Sequence, residues 1–178
     1  GRGDVTAIDT KSVTAGLFLV VTNTARFLEE RPDAPLPEVE AFVASQVERV
    51  RMAFIPGGLD FLRAGGRLSN GAYLGAQLLR IKPVIEILDG KLVATKKLRG
   101  SMEKAVLALV DDFLSREPLD VARVALIRNE GLDEGLQRQV EDRVRAAGFR
   151  EVTWIETGGV ISSHCGPGSF GIAAVAAE

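Results

Sequence analysis

The chain is poor in the residues that most often announce chemistry. Its 178 residues include one Cys, one His, one Trp and one Tyr. A single cysteine excludes an internal disulfide and a cysteine-rich metal site, and it suits a reducing compartment. Without clustered His, Cys and carboxylates, no metal-ligand set stands out. Neither sign of charge dominates, since 22 Lys plus Arg face 24 Asp plus Glu. That balance argues against a nucleic-acid binder working through a broad basic face, although a local patch stays open. Long apolar runs are lacking too. The longest, Ala15 to Val21, is interrupted by Gly16 and falls well short of the roughly 20 residues a membrane helix needs. No secretory signal pattern is visible, so the expected location is the cytoplasm. The Walker, dinucleotide-fingerprint and kinase glycine loops are all missing.

What is present is aliphatic. Hydrophobic residues make up 46% of the chain, aromatics only 6%, and the mean hydropathy is +0.13. This is ample for a packed core and excludes disorder. Ala, Val, Leu and Ile in such excess can line an apolar tunnel, but they equally build an ordinary core.

Periodicity predicts an α/β fold. Val5 to Ile8 reads as a short strand, and Asp9-Thr10-Lys11-Ser12 offers N-caps for a helix from Val13 to Glu29. Pro32, Pro35 and Pro37 separate this helix from a second, on which Leu36, Val39, Phe42, Val43, Val47 and Val50 recur mostly at spacings of three and four. Met52 to Ile55 is a strand candidate, and Leu59 to Ala64 a short helix stopped by Gly65-Gly66. Two β-rich runs, Pro83 to Leu88 and Lys91 to Lys96, flank Asp89-Gly90, a strong hairpin signal. Ser101 can cap a helix with Met102, Ala105, Val106, Leu109, Val110 and Phe113 on its inner face. Val121 to Ile127 reads as a buried strand. Leu132, Leu136, Val140 and Val144 mark a further helix closed by Gly148, and Val152 to Ile155 and Gly171 to Ala176 are further strands. Strands alternating with helices, plus one hairpin, make a mixed sheet.

Candidate site residues lie where polar groups meet permissive backbone. His164 leads into Gly166-Pro167-Gly168, whose N–H groups can converge on an anion, with Ser163 beside it. An imidazole there can donate to a carboxylate or phosphate, or simply be a satisfied structural histidine. His164 and Cys165 form a poor catalytic couple, because neighbours in an extended turn point to opposite sides; Cys165 reads as a small, partly buried thiol. Arg67 follows the double glycine and either faces a groove or ties down helix carbonyls. Arg99 stands between a strand and a helix cap, where it meets an anionic group or solvent.

Six segments in fixed order carry a family resemblance: Ile8-Asp-Thr-Lys-Ser12, Leu59-Asp-Phe-Leu-Arg-Ala-Gly-Gly-Arg-Leu-Ser69, Leu79-Arg-Ile-Lys-Pro-Val84, Asp89-Gly-Lys91, Leu98-Arg-Gly100 and His164-Cys-Gly-Pro-Gly168. Together the chain resembles the DegV family, bacterial fatty-acid-binding proteins that serve as the acyl-carrying subunit of fatty acid kinase. The resemblance implies two α/β domains with a long-chain fatty acid in a tunnel between them. It further implies presentation of the carboxylate to an ATP-binding kinase subunit, with no cofactor, metal, nucleic acid or catalytic residue in the chain itself. By the same resemblance His164 stands near the carboxylate, while Arg67 and Arg99 contact the partner or a lipid head, including transient contact with an anionic membrane. The family's Asp-Ser strand, Thr-Ser-Gln-Pro-Ser and Ser-Gly-Leu-Ser-Gly-Thr segments have no counterpart here. Residues 1–52 are therefore expected to be the remnant of a first domain, and residues 53–178 the second. Cys165 replaces a usual Thr, Thr10 a Ser and Arg80 an Asn. The competing expectation is an enzyme: dihydroxyacetone kinase substrate subunits, distantly similar in fold, hold a small carbonyl compound covalently through a His, a role His164 would then fill.

Overall fold

The computed structural model of the chain describes residues 5–66 and 81–178. Helices α1 (Thr14–Glu30) and α2 (Leu36–Arg49) precede strand β1 (Val50–Ile55) and helix α3 (Leu59–Ala64). A hairpin, β2 (Ile81–Leu88) and β3 (Lys91–Arg99), leads to α4 (Met102–Ser115), β4 (Leu119–Arg128) and α5 (Glu134–Ala146). β5 (Glu151–Glu156), α6 (Gly159–Cys165) and β6 (Phe170–Ala176) complete the order. The strands form one six-stranded sheet, ordered β3-β2-β1-β6-β4-β5. β2 and β6 run against the other four, and only β4 and β5 are parallel neighbours.

The hairpin forms where Asp89-Gly90 predicted it. Both residues adopt positive φ, 48° and 74°, as a two-residue turn between right-twisted strands requires. Leu88 then faces Lys91 and Ile81 faces Arg99. Ser101 caps α4 by accepting the Lys104 N–H at 3.2 Å, and the inner face expected of α4 is the buried one.

Side-chain alternation along the strands divides the interior into two layers. Ala53, Ile55, Val124 and Leu126 face α4 and α5, packing with Val106, Val110, Val140 and Val144. Met52, Phe54, Ala125 and Ile127 face the other way, against Ala15 and Leu19 of α1. α2 is joined to α1 by the stacked rings of Phe27 and Phe42, 4.4 Å apart, and by Asn23 Nδ2 donating to Gln46 Oε1 at 2.7 Å. Buried Arg123 of β4 donates to Asn23 and pairs with Glu151 at 3.3 Å, so the helix pair is tied to the sheet. The hairpin is tied to α4 through Asp112. Burial alone would raise that carboxyl, but hydrogen bonds from Lys96 and Arg116 outweigh it and hold it below its ordinary value.

Three expectations need correction. Val5 to Ile8 is not a strand; among the described residues no neighbour offers it a ladder, and Val5 is 92% exposed. Asp9 to Ser12 supply no cap to α1, which starts after Val13 without a side-chain cap bond; the Asp9 carboxylate instead accepts the Lys11 N–H at 2.8 Å. The segment around His164 is helix α6 rather than an extended turn.

Candidate functional site

One end of the sheet gathers the polar groups. β1, β4 and β5 finish there and β6 begins there, since Ile55 and Arg128 both sit opposite Phe170. Ligands in α/β proteins commonly bind beyond the carboxyl ends of strands. α6 lies across this end and is short, so its position is set by tertiary contacts rather than propensity. The buried Asn129, just past β4, donates from Nδ2 to the Gly166 carbonyl at 2.8 Å. Its Oδ1 accepts from Ser162 Oγ at 3.0 Å and from the Glu130 N–H at 2.9 Å. From the opposite side, the Gly57 N–H donates to the Cys165 carbonyl at 2.8 Å. A Cβ on Gly57 would stand 1.7 Å from the Pro167 carbonyl oxygen, so only glycine permits this approach.

This clamp fixes His164 in the last turn of α6. Its ring lies over the end of α3, where a Cβ on Gly65 would fall 2.4 Å from Nδ1. Nδ1 is buried and meets no hydrogen-bond partner among the described residues. An orphaned buried nitrogen costs free energy unless something occupies the adjacent space. His164 also borders a cavity of about 330 Å³, which Thr157 and Ser169 bound with it at this end. Its remaining walls are mainly apolar, with Phe54, Leu62, Ile127, Ile161 and Phe170 among them. The cavity runs toward the hairpin turn, where Asp9, Lys11, Ser12 and Gly90 bound it. There Lys11 Nζ pairs with Asp89 at 2.6 Å and fastens the 9–13 segment across the turn. An apolar middle with polar groups at both ends suits an amphiphile with an acceptor group.

The other expected residues divide. Gly166 and Gly168 stand at the site, but their N–H groups donate to the Ser162 and Glu130 carbonyls at 2.9 and 2.7 Å, so they do not form the expected anion-binding concavity. Ser163 is exposed and donates to the Val160 carbonyl at 2.8 Å, away from the cavity. Cys165 does line the cavity beside His164, because in a helix neighbours are not set to opposite sides. Desolvation by burial raises its thiol, which disfavours the reactive thiolate. Arg99 is exposed on the edge strand, opposite the start of β2 and thus toward the same end of the sheet as His164. Arg67 lies outside the described residues. Sequence reasoning missed Thr157, Ser169, Ser12 and Asn129; the only available signal was a single small polar residue just beyond a strand end.

Comparison with known proteins agrees with this architecture. The chain matches the family described as "Uncharacterised protein, DegV family" over residues 2–177. It belongs to the DegV family. A DegV domain-containing protein of Deinococcus radiodurans is 31% identical over 173 residues, covering 96% of this chain. The chain spans 60% of that relative's length. Among solved structures, a DegV family protein from Thermus thermophilus, titled for its fatty acid binding, aligns with a TM-score of 0.75 and 27% identity, over 99% of this chain and 62% of its own. The fatty acid kinase B3 protein of Streptococcus pneumoniae, loaded with linoleic acid, shares the fold at a TM-score of 0.79 and 24% identity, over 96% of this chain and 59% of its own.

Proposed function

We propose that the chain is the lipid-holding part of a fatty-acid carrier. The cavity takes the acyl chain, and His164 with Thr157 and Ser169 receives the carboxylate. The observation that carries this reading is that His164, with Thr157 and Ser169, closes one end of a cavity whose middle walls are apolar, while its Nδ1 is left without a hydrogen-bond partner among the described residues. Each methylene moved from water into such a space contributes about 0.8 kcal/mol, so the apolar walls dominate affinity and the polar end sets direction. Burial raises the thiol of Cys165, which disfavours a cysteine nucleophile at this end of the cavity. Phosphoryl transfer then belongs to a separate ATP-binding kinase subunit, approached at the Arg99 end of the sheet in the cytoplasm. On this reading residues 1–52, with α1 and α2, end a first domain, and residues 53–178 are the second.

The test is a substitution at the polar end. His164→Ala is expected to weaken long-chain fatty-acid binding by about 1.5–3 kcal/mol, the range for hydrogen bonds to charged groups. Saturated and unsaturated acids should be affected alike, because the lost contact is to the carboxylate. Displacement of a fluorescent fatty acid measures the effect, with thermal melting as the control for folding. Unchanged affinity with an intact melting temperature would remove His164 from the site.

A further inference from the structure

The cavity described above does not stand alone on this face of the sheet. A second one, of about 310 Å³, lies against β1, α2 and the hairpin; Val47, Val50 and Leu88 line it together with the polar Thr10, Glu48, Arg51 and Asp89. Both cavities have Lys11, Ser12, Met52 and Ile87 in their walls. We infer that Met52 and Ile87 form a partition between two halves of one longer acyl channel, and that Met52 sets the acyl length accepted. The inference rests on the fatty-acid reading given above.

The alignment of the channel comes from the sheet. Phe54, Met52 and Val50 project from the same face of β1, since side chains alternate. Phe54 borders the first cavity, Val50 the second, and Met52 both. With about 3.3 Å of rise per strand residue, Met52 stands roughly 10 Å along from Ile55 and the His164 end. An acyl chain entering with its carboxylate at His164 therefore meets Met52 before it can reach the second space. The first cavity is at the low end of the roughly 300–1,000 Å³ range of ligand pockets, so the end of a long chain would pass the partition along Val47, Val50 and Leu88, the apolar part of the second wall.

Met52 is the movable member of that wall. It is 6% exposed, unbranched and polarisable, a side chain that fits irregular space and changes rotamer readily. Its one described polar contact is a weak one, Thr14 Oγ1 to Sδ at 3.7 Å. Ile87 is β-branched and stiff at χ1, so it serves as the fixed side of the opening. Lys11 and Ser12 lie on the segment that meets the hairpin turn through the exposed Lys11–Asp89 pair, on the partition's outer side.

The experiment measures affinities of this chain for saturated acids in steps of two carbons, from twelve to twenty. Met52→Ala should shift the preferred length upward by at least one step, and Met52→Phe should shift it downward. Each methylene newly buried is worth about fourfold in affinity. Ile87→Ala is the second variant, expected to lengthen the preference as Met52→Ala does, and it keeps the test alive if a Met52 variant does not fold. Folded variants of both positions that bind with the wild-type length profile would overturn the partition. If the wild-type chain binds none of the acids, the fatty-acid reading fails, and the partition with it.

Discussion

Phe170→Ala should destabilise the chain by about 3–5 kcal/mol, the range for deleting a large buried aromatic. Phe170 is fully buried at the start of β6, and it sits opposite Ile55 on one side and Arg128 on the other. It therefore joins the central strands at the end where the site is built. Its ring also packs edge-on to Trp154, with centroids 6.3 Å apart, and aromatic pairs of this kind add about 0.5–1.5 kcal/mol beyond area. Phe170 packs in the layer facing α4 and α5, yet the residue also borders the cavity, so its loss would loosen the core next to the site. Trp154 is the only tryptophan of the chain and reports unfolding directly in a urea titration. A loss of stability below about 1 kcal/mol would mean that the space collapses around the alanine at little cost, and that Phe170 does not hold this end together.

The second large effect is expected at Arg99 and concerns a partner rather than the fold. Arg99→Glu should leave fatty-acid affinity within about twofold of wild type, because an exposed surface charge outside the cavity lining contributes little to burying a tail. Transfer of phosphate from ATP to the bound acid, with the kinase subunit supplied, should fall by roughly tenfold or more, since rim charges act on encounter and like-charge juxtaposition costs several kcal/mol. The net charge of the chain is only −2, so steering must come from a local group. The loss should be greatest at low ionic strength, where wild-type steering is strongest. Parallel loss of acyl binding would move Arg99 into the ligand site, and undiminished transfer would remove it from the partner surface.

The fold was legible in the sequence where one local signal coincided with one tertiary outcome. Asp89-Gly90 between β-rich runs allowed only a hairpin, and the spacing from Met102 to Phe113 allowed only one buried helix face. Val5 to Ile8 had strand composition, yet strands need a neighbour, and composition says nothing about whether one is present. Around His164 the local signal misled. Gly166-Pro167-Gly168 after it suggested a turn, whereas Asn129 and Gly57, both distant in sequence, hold a short helix there. His164 was found as a lone imidazole beside glycines, but the groups that surround it were not. Thr157 and Ser169 become its neighbours only because β5 ends and β6 begins at the same edge of the sheet. Gly166 and Gly168 looked like free donors because their acceptors, the carbonyls of Ser162 and Glu130, are set by the fold.

Native mass spectrometry of the freshly purified chain tests the central claim most directly. The account predicts a non-covalent mass increment equal to a long-chain fatty acid, lost on denaturation and diminished in His164→Ala. A small adduct that survives denaturation and maps to the peptide bearing His164 would contradict it in favour of covalent chemistry. So would a chain that carries no ligand and acquires none when incubated with fatty acid.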